Sequence, residues 1–205
     1  MAKSSSPILA ICGSPRVEGN TELLADACLE GVGEGGSSGE KIRLNALHLS
    51  PCQECGGCRQ TGRCVIQDDM QKLYPRLRQA GGIILASPIF FGSLTAQTKI
   101  VIDRSQCFWT AKYLLNKPLF PAEAKVPGLF LCAGGMDRYR FFQNAQQIVK
   151  IWFTILNIHY VSELFFPGID QKGEILQHPS ALRKAHQIGR YLAHLNQERG
   201  QLISE

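Results

Sequence analysis

A chain of 205 residues, 44% of them apolar, is long enough to bury a full core and is expected to form one domain over residues 1–205. The net charge of +5 comes without a long Lys/Arg block, so nothing points to a nucleic-acid partner, and no apolar run approaches the roughly 18 residues of a membrane span. "MAKSSS" leads into a short strand-like run and not into a secretory signal, so the expected compartment is the cytoplasm, where the eight cysteines stay as thiols or metal ligands and a disulfide framework is disfavoured.

Short β-type runs alternate with helical ones along the chain. Strands are expected at Pro7–Cys12, Lys41–Leu49, Gly82–Ser87, Gly128–Ala133 and Ile158–Phe166. Between and after them, apolar residues recur at helical spacing: Leu24, Ala27 and Cys28; then Ala145, Ile148, Val149, Trp152, Phe153 and Leu156; then Leu182, Ala185, Ile188, Leu192 and Leu195. This order predicts an α/β fold, a doubly wound five-stranded parallel sheet with helices on both faces. Sheets of that kind take ligands outside the carboxyl ends of their strands, which directs attention to the loops after strands one, three and four.

Three interruptions stand out. "GVGEGGSSGE" reads as a flexible surface connection. Pro75 should kink or shorten the helix it sits in. The stretch 107–123, "CFWTAKYLLNKPLFPAE", reads as an aromatic insertion that serves either as extra core or as an apolar lid or subunit interface. The five histidines, His48, His159, His178, His186 and His194, have no metal-ligand spacing and are read as surface or core residues.

The loop "CGSPRVEGNTE" leaves the first strand and enters the first helix, which aims backbone N–H groups and the helix dipole at an anion. Ser14, Asn20 and Thr21 add polar side chains and Arg16 a positive charge suited to phosphate; alone, Asn20 or Thr21 would pass for a helix cap. There is no G-K-[ST] of a P-loop and no G-x-G-x-x-G of a dinucleotide fold. After the third strand, "SPIFFGSLTAQTK" offers Pro88, Ile89, Phe90 and Phe91 as flat apolar surface, with Gly92 and Ser93 bending the loop. A phosphate loop and an aromatic loop at one sheet edge suit a flavin mononucleotide.

"GSPRVEGNT", "CQECGGCRQTGRCVIQDDM" and "ASPIFFGSLTAQTKIVIDRS" together resemble the iron-sulfur flavoprotein group of the NADPH-dependent FMN reductase superfamily, across roughly the first half of the chain. The resemblance implies a flavodoxin-like sheet of order 2-1-3-4-5, with FMN phosphate at Ser14, Arg16, Asn20 and Thr21. It places the isoalloxazine ring against Pro88 to Ser93, and Ala133, Gly134 and Gly135 on its other side. The family's Tyr is replaced here by Phe90, and its G-Q-E after the double glycine reads "MDR". The chemistry is centred on the flavin, so no side chain is cast as a catalytic acid or base.

Cys52, Cys55, Cys58 and Cys64 lie in a C-x2-C-x2-C-x5-C run. Structural zinc more often uses two knuckles about 15 residues apart, whereas compact spacing suits thiolates that reach different irons of one cluster. Spacing alone leaves cluster, zinc and free thiols open; the resemblance implies a 4Fe-4S cluster on these four positions. Cys12, Cys28, Cys107 and Cys132 are read as buried apolar residues. The function implied is an electron-transfer oxidoreductase with FMN and the cluster, drawing on a ferredoxin-like donor or NAD(P)H, reducing a small oxidant or quinone, and assembled as a homodimer or homotetramer. Two alternatives are an NAD(P)H-dependent FMN or quinone reductase without a cluster, and a zinc-stabilised or redox-sensing binding module.

Overall fold

The computed structural model describes residues 6–202, with the side chains of 201 and 202 excepted. Five strands, β1 (Ile8–Cys12), β2 (Gly39–Arg43), β3 (Gly82–Pro88), β4 (Val126–Gly134) and β5 (Ile158–Pro167), form one parallel sheet in the flavodoxin-like order β2-β1-β3-β4-β5. The three central strands are almost wholly buried because helices cover both sheet faces, which is why they read as continuous apolar runs without alternation. Pleating then divides each strand between two cores. Leu9, Ile11, Ile83, Leu85, Phe130 and Cys132 face one side, while Ile8, Ala10, Cys12, Ile84, Ala86, Leu129 and Leu131 face the other.

Helices α1 (Asn20–Glu34), α2 (Met70–Gln79), α3 (Ala96–Arg104), α4 (Gln106–Tyr113), α5 (Arg140–Leu156) and α6 (Ala181–Leu202) complete the two layers. On one side α1 packs on α6 so closely that a Cβ on Gly189 would meet the Cys28 carbonyl oxygen at 1.9 Å, and one on Gly31 the His186 carbonyl oxygen at 2.0 Å. On the other side, α5 buries Phe142, Ala145, Val149, Trp152, Phe153 and Leu156, the stripe expected from its period. The Trp152 indole donates to Ser105 Oγ at 2.9 Å, so this large ring is buried without an orphaned N–H.

Several expectations need correction. The second strand stops at Arg43, not Leu49: β2 is an edge strand, its partner β1 ends at Cys12, and residues 44–46 turn as a short 3-10 helix. The first helix continues through Gly31 and Gly33 to Glu34, so only residues 35–38 remain as the connection read from "GVGEGGSSGE". Helix α2 runs for ten residues with Pro75 inside it. Within residues 107–123, most of α4 comes first, following α3 with Ser105 between them, and a 3-10 turn covers Ala122–Ala124. Of the aromatic group there, Phe108 and Phe120 are core, while Tyr113 and Leu114 are exposed. Among the described residues no helix is long and apolar enough to cross a membrane.

Candidate functional site

At the carboxyl edge of the sheet, Ser14, Arg16, Gly19, Asn20 and Thr21 after β1, Pro88, Ile89 and Phe90 after β3, and Ala133, Gly134 and Gly135 after β4 line one cleft. The first loop is held by the start of α3. Gly13 donates to the Ala86 carbonyl at 2.8 Å and accepts from Thr95 Oγ1 at 2.7 Å, and a Cβ on Gly13 would meet Thr98 Oγ1 at 1.8 Å. Thr95 caps α3, its hydroxyl accepting from the Thr98 N–H, so the phosphate-type loop and the aromatic loop share one fixed joint.

Gly19 at the N-cap of α1 supplies no capping side chain, so the first-turn N–H groups keep no side-chain partner there, which suits an anionic group. Ser14 Oγ accepts from the Arg16 N–H at 3.1 Å and shapes the turn. Arg16 Nη1 donates to the Asp170 carbonyl at 2.8 Å; Asn20 Nδ2 donates to the Gln171 carbonyl at 2.8 Å, and its Oδ1 accepts from the Ile175 N–H at 3.2 Å. The residues read as phosphate ligands therefore also anchor the loop after β5. That loop brings Ile169 and Asp170 into the cleft, two lining residues the sequence reading passed over. Gly168, with φ near +72° just after β5, marked the turn at the same sheet edge.

Glu22 fixes the first loop from behind. It is 1% exposed, accepts from the Glu18 N–H at 2.9 Å, and pairs with Lys41 Nζ at 2.9 Å and with Arg43 Nε on β2. Burial alone would raise its carboxyl, but the hydrogen bonds from Lys41, Arg43 and the Glu18 amide outweigh that and hold it below its ordinary value. Cys12, beside this group, is buried and its thiol is pushed up to about 12 by burial and by Glu22, which keeps it protonated and inert.

The aromatic loop is a two-residue turn. Phe90 and Ser93 exchange backbone hydrogen bonds at 2.9 and 3.0 Å, and Phe91 and Gly92 both have positive φ, as a type I′ turn requires. Phe90 reaches the cleft, but Phe91 stands at the tip fully exposed, and Phe91, Gly92 and Ser93 do not line it. Ile89 instead extends the pairing with β4, donating to the Ala133 carbonyl at 2.9 Å, which draws the second and third loops together.

The cysteine loop forms a second cavity on the α3–α4 side, of about 410 Å³, into whose lining Cys52, Cys55, Cys58 and Cys64 all come, with Arg104, Cys107, Trp109 and Thr110. All four are free thiols; Cys55 is exposed and the others half-buried. Among the described residues no three metal-binding side chains are gathered at single-ion distance. What the four positions share is one cavity, and thiolate is the donor type that an iron-sulfur cluster takes. Outside this loop, burial pushes the Cys28 thiol up to about 12 and the Cys107 thiol to about 11, and raises Cys132 as well.

A flavodoxin-like sheet with a four-loop cleft at its carboxyl edge defines the class of doubly wound α/β proteins, which take their ligands at that edge. Residues 6–169 match the model of the NADPH-dependent FMN reductase family, and the chain belongs to that family. It is 41% identical over 110 residues to an iron-sulfur flavoprotein of Methanocaldococcus jannaschii, covering 54% of this chain and 57% of that one. It is 38% identical over 128 residues to an iron-sulfur flavoprotein of Methanosarcina thermophila, covering 62% of this chain and 63% of the relative. The chain thus spans a little over half the length of these curated relatives. Among solved structures, a flavone reductase superposes with a TM-score of 0.69 at 23% identity, over 93% of this chain and 63% of the other, and shows the same fold.

Proposed function

We propose that the protein is an FMN-dependent oxidoreductase whose cysteine loop carries a 4Fe-4S cluster. The observation that carries this reading is the pair of cavities in a member of this family, a four-loop cleft at the sheet edge and a chamber lined by four thiols. When bound, FMN takes electrons singly or as a hydride and the cluster passes them one at a time, so the pair converts between two-electron and one-electron chemistry.

This chain's own residues supply binding and orientation. The uncapped first turn of α1, Ser14, Arg16, Asn20 and Thr21 hold the FMN phosphate, with Arg16 the charged contact. Pro88, Ile89 and Phe90 form one wall for the ring and Ala133, Gly134 and Gly135 the other. Gly134 and Gly135 leave room because they carry no side chain. Cys52, Cys55, Cys58 and Cys64 ligate the cluster. The donor is a one-electron carrier of the ferredoxin type or NAD(P)H, and the acceptor a small oxidant or quinone.

The family match favours a second reading, an NAD(P)H-dependent flavin or quinone reductase whose four thiols hold no iron. Anaerobic purification with a visible spectrum and counts of iron, zinc and acid-labile sulfide per FMN separates the two. About four iron and four sulfide per chain are expected. A yellow, iron-free protein that resists reconstitution and is bleached by NADPH would establish the second reading, and a colourless zinc protein that retains no FMN would overturn both.

A further inference from the structure

Arg104, the last residue of α3, is 1% exposed and is among the residues that line the cysteine cavity. Its Nη1 donates to the Ser50 carbonyl at 2.8 Å and to Asp68 Oδ2 at 2.6 Å; its Nη2 donates to Asp68 Oδ1 at 3.1 Å and to the Ile66 carbonyl at 3.3 Å. Asp68 in turn accepts from the Ser50 N–H at 2.8 Å and from the Met70 N–H at 3.0 Å. Ser50 stands two residues before Cys52, and Ile66 two residues after Cys64. One guanidinium and one carboxylate thereby fasten both stems of the cysteine loop, and the planar fork of arginine is what lets four oxygens be reached at once. One donor is left over. Arg104 Nε is buried and has no hydrogen-bond partner among the described residues, a costly arrangement unless something in the cavity accepts from it.

We propose that Arg104 is the positioning residue of the cysteine cavity: with Asp68 it holds the loop closed before any metal enters, and its spare Nε–H is the donor held for the anionic sulfur of the bound cluster. This rests on the reading that the four thiols carry an iron-sulfur cluster. An N–H donated to cluster or thiolate sulfur stabilises the more negative, reduced state and raises the reduction potential. Arg104 is also tied to the core that faces the sheet, since its backbone carbonyl accepts from the Tyr74 hydroxyl at 2.9 Å and from the Cys107 thiol at 3.5 Å.

The test uses the full chain as wild type, Arg104→Lys and Asp68→Asn, compared in two ways. In the iron-free, reduced protein, iodoacetamide modification of Cys52, Cys58 and Cys64 is followed by mass spectrometry; both variants are expected to react several-fold faster than wild type while Cys28 and Cys132 stay unmodified. Equal rates would overturn the fastening role, and modification of the core cysteines would flag a variant that had not folded, leaving the other to decide. In the reconstituted protein, Arg104→Lys is expected to lower iron affinity about tenfold to a hundredfold. It should also shift the cluster's midpoint potential downward, whereas Asp68→Asn, which keeps Nε, should not lower it. An unchanged potential in Arg104→Lys would remove the donor role. A wild-type chain that takes up no iron overturns the cluster reading and the donor role together, and the alkylation rates still decide the fastening.

Discussion

The cleft at the sheet edge and the cysteine cavity are built in opposite ways. The cleft is assembled from loops that continue directly from strands, so the register of the sheet places Ser14, Pro88 and Ala133 side by side: Cys12 is level with Ala86, and Pro88 with Ala133. The cysteine loop has no strand at either end, and its stems are instead closed by one ion pair and by two hydrogen bonds between His48 and Asp69, the Asp69 N–H donating to the His48 carbonyl and the His48 N–H to Asp69 Oδ2. A site carried by a parallel sheet inherits its geometry from the core; a site carried on a long crossover needs its own fastening.

Substitutions can separate the two regions. The largest effect is expected from Cys58→Ser, which should abolish iron incorporation while FMN content stays at the wild-type level, checked by metal and flavin analysis of one preparation. Asp68→Asn leaves the Arg104 cation buried without its partner, both side chains being under a tenth exposed, and should destabilise the fold by about 3 kcal/mol in urea titration. On the proposed function, Arg16→Ala would remove a charge-assisted contact to phosphate worth about 2 kcal/mol, so FMN affinity should fall about thirtyfold while riboflavin affinity, measured by fluorescence quenching, is unchanged. Equal losses for both flavins would show that Arg16 serves only as an anchor for the loop after β5.

Acid should weaken both regions. Asp68 and Glu22 are held below their ordinary carboxylate values by Arg104 and by Lys41 and Arg43, against the opposing effect of burial. A carboxyl depressed in the folded state contributes stability that is fully present above its unfolded value of about 4 and is lost as pH falls through its folded value. Unfolding free energy should therefore decline below about pH 4, and Glu22→Gln should flatten part of that decline. The smallest effect belongs to Phe91→Ser: the ring is fully exposed and does not line the cleft, so stability should stay within about 0.5 kcal/mol and FMN affinity should not move. A clear loss of affinity would mean that the turn tip folds over the bound ring.

How much of this could be read beforehand depends on the range of the interaction. The positions of the first, third, fourth and fifth strands and the faces of α1, α5 and α6 follow from local periodicity, and the three loops follow from the rule that parallel sheets bind at their carboxyl edge. That rule applies to β5 as well, and extending it to "PGID" would have brought in Ile169 and Asp170. The helix α4 was hidden because its apolar residues do not keep one face: Phe108 is core while Tyr113 is exposed. The pairs Glu22–Arg43 and Asp68–Arg104 left no local trace, being 21 and 36 residues apart, and depend on the crossovers that bring β2 to α1 and α3 to the cysteine stems.

The close seating of α1 on α6 through Gly31 and Gly189 has a dynamic consequence. Helices in backbone contact cannot open one at a time without losing that shared surface, so their amide hydrogens should exchange with solvent as one cooperative unit. Because α1 begins at the phosphate-type loop, the opening free energy of that loop's first turn would then be set by a helix at the far end of the chain.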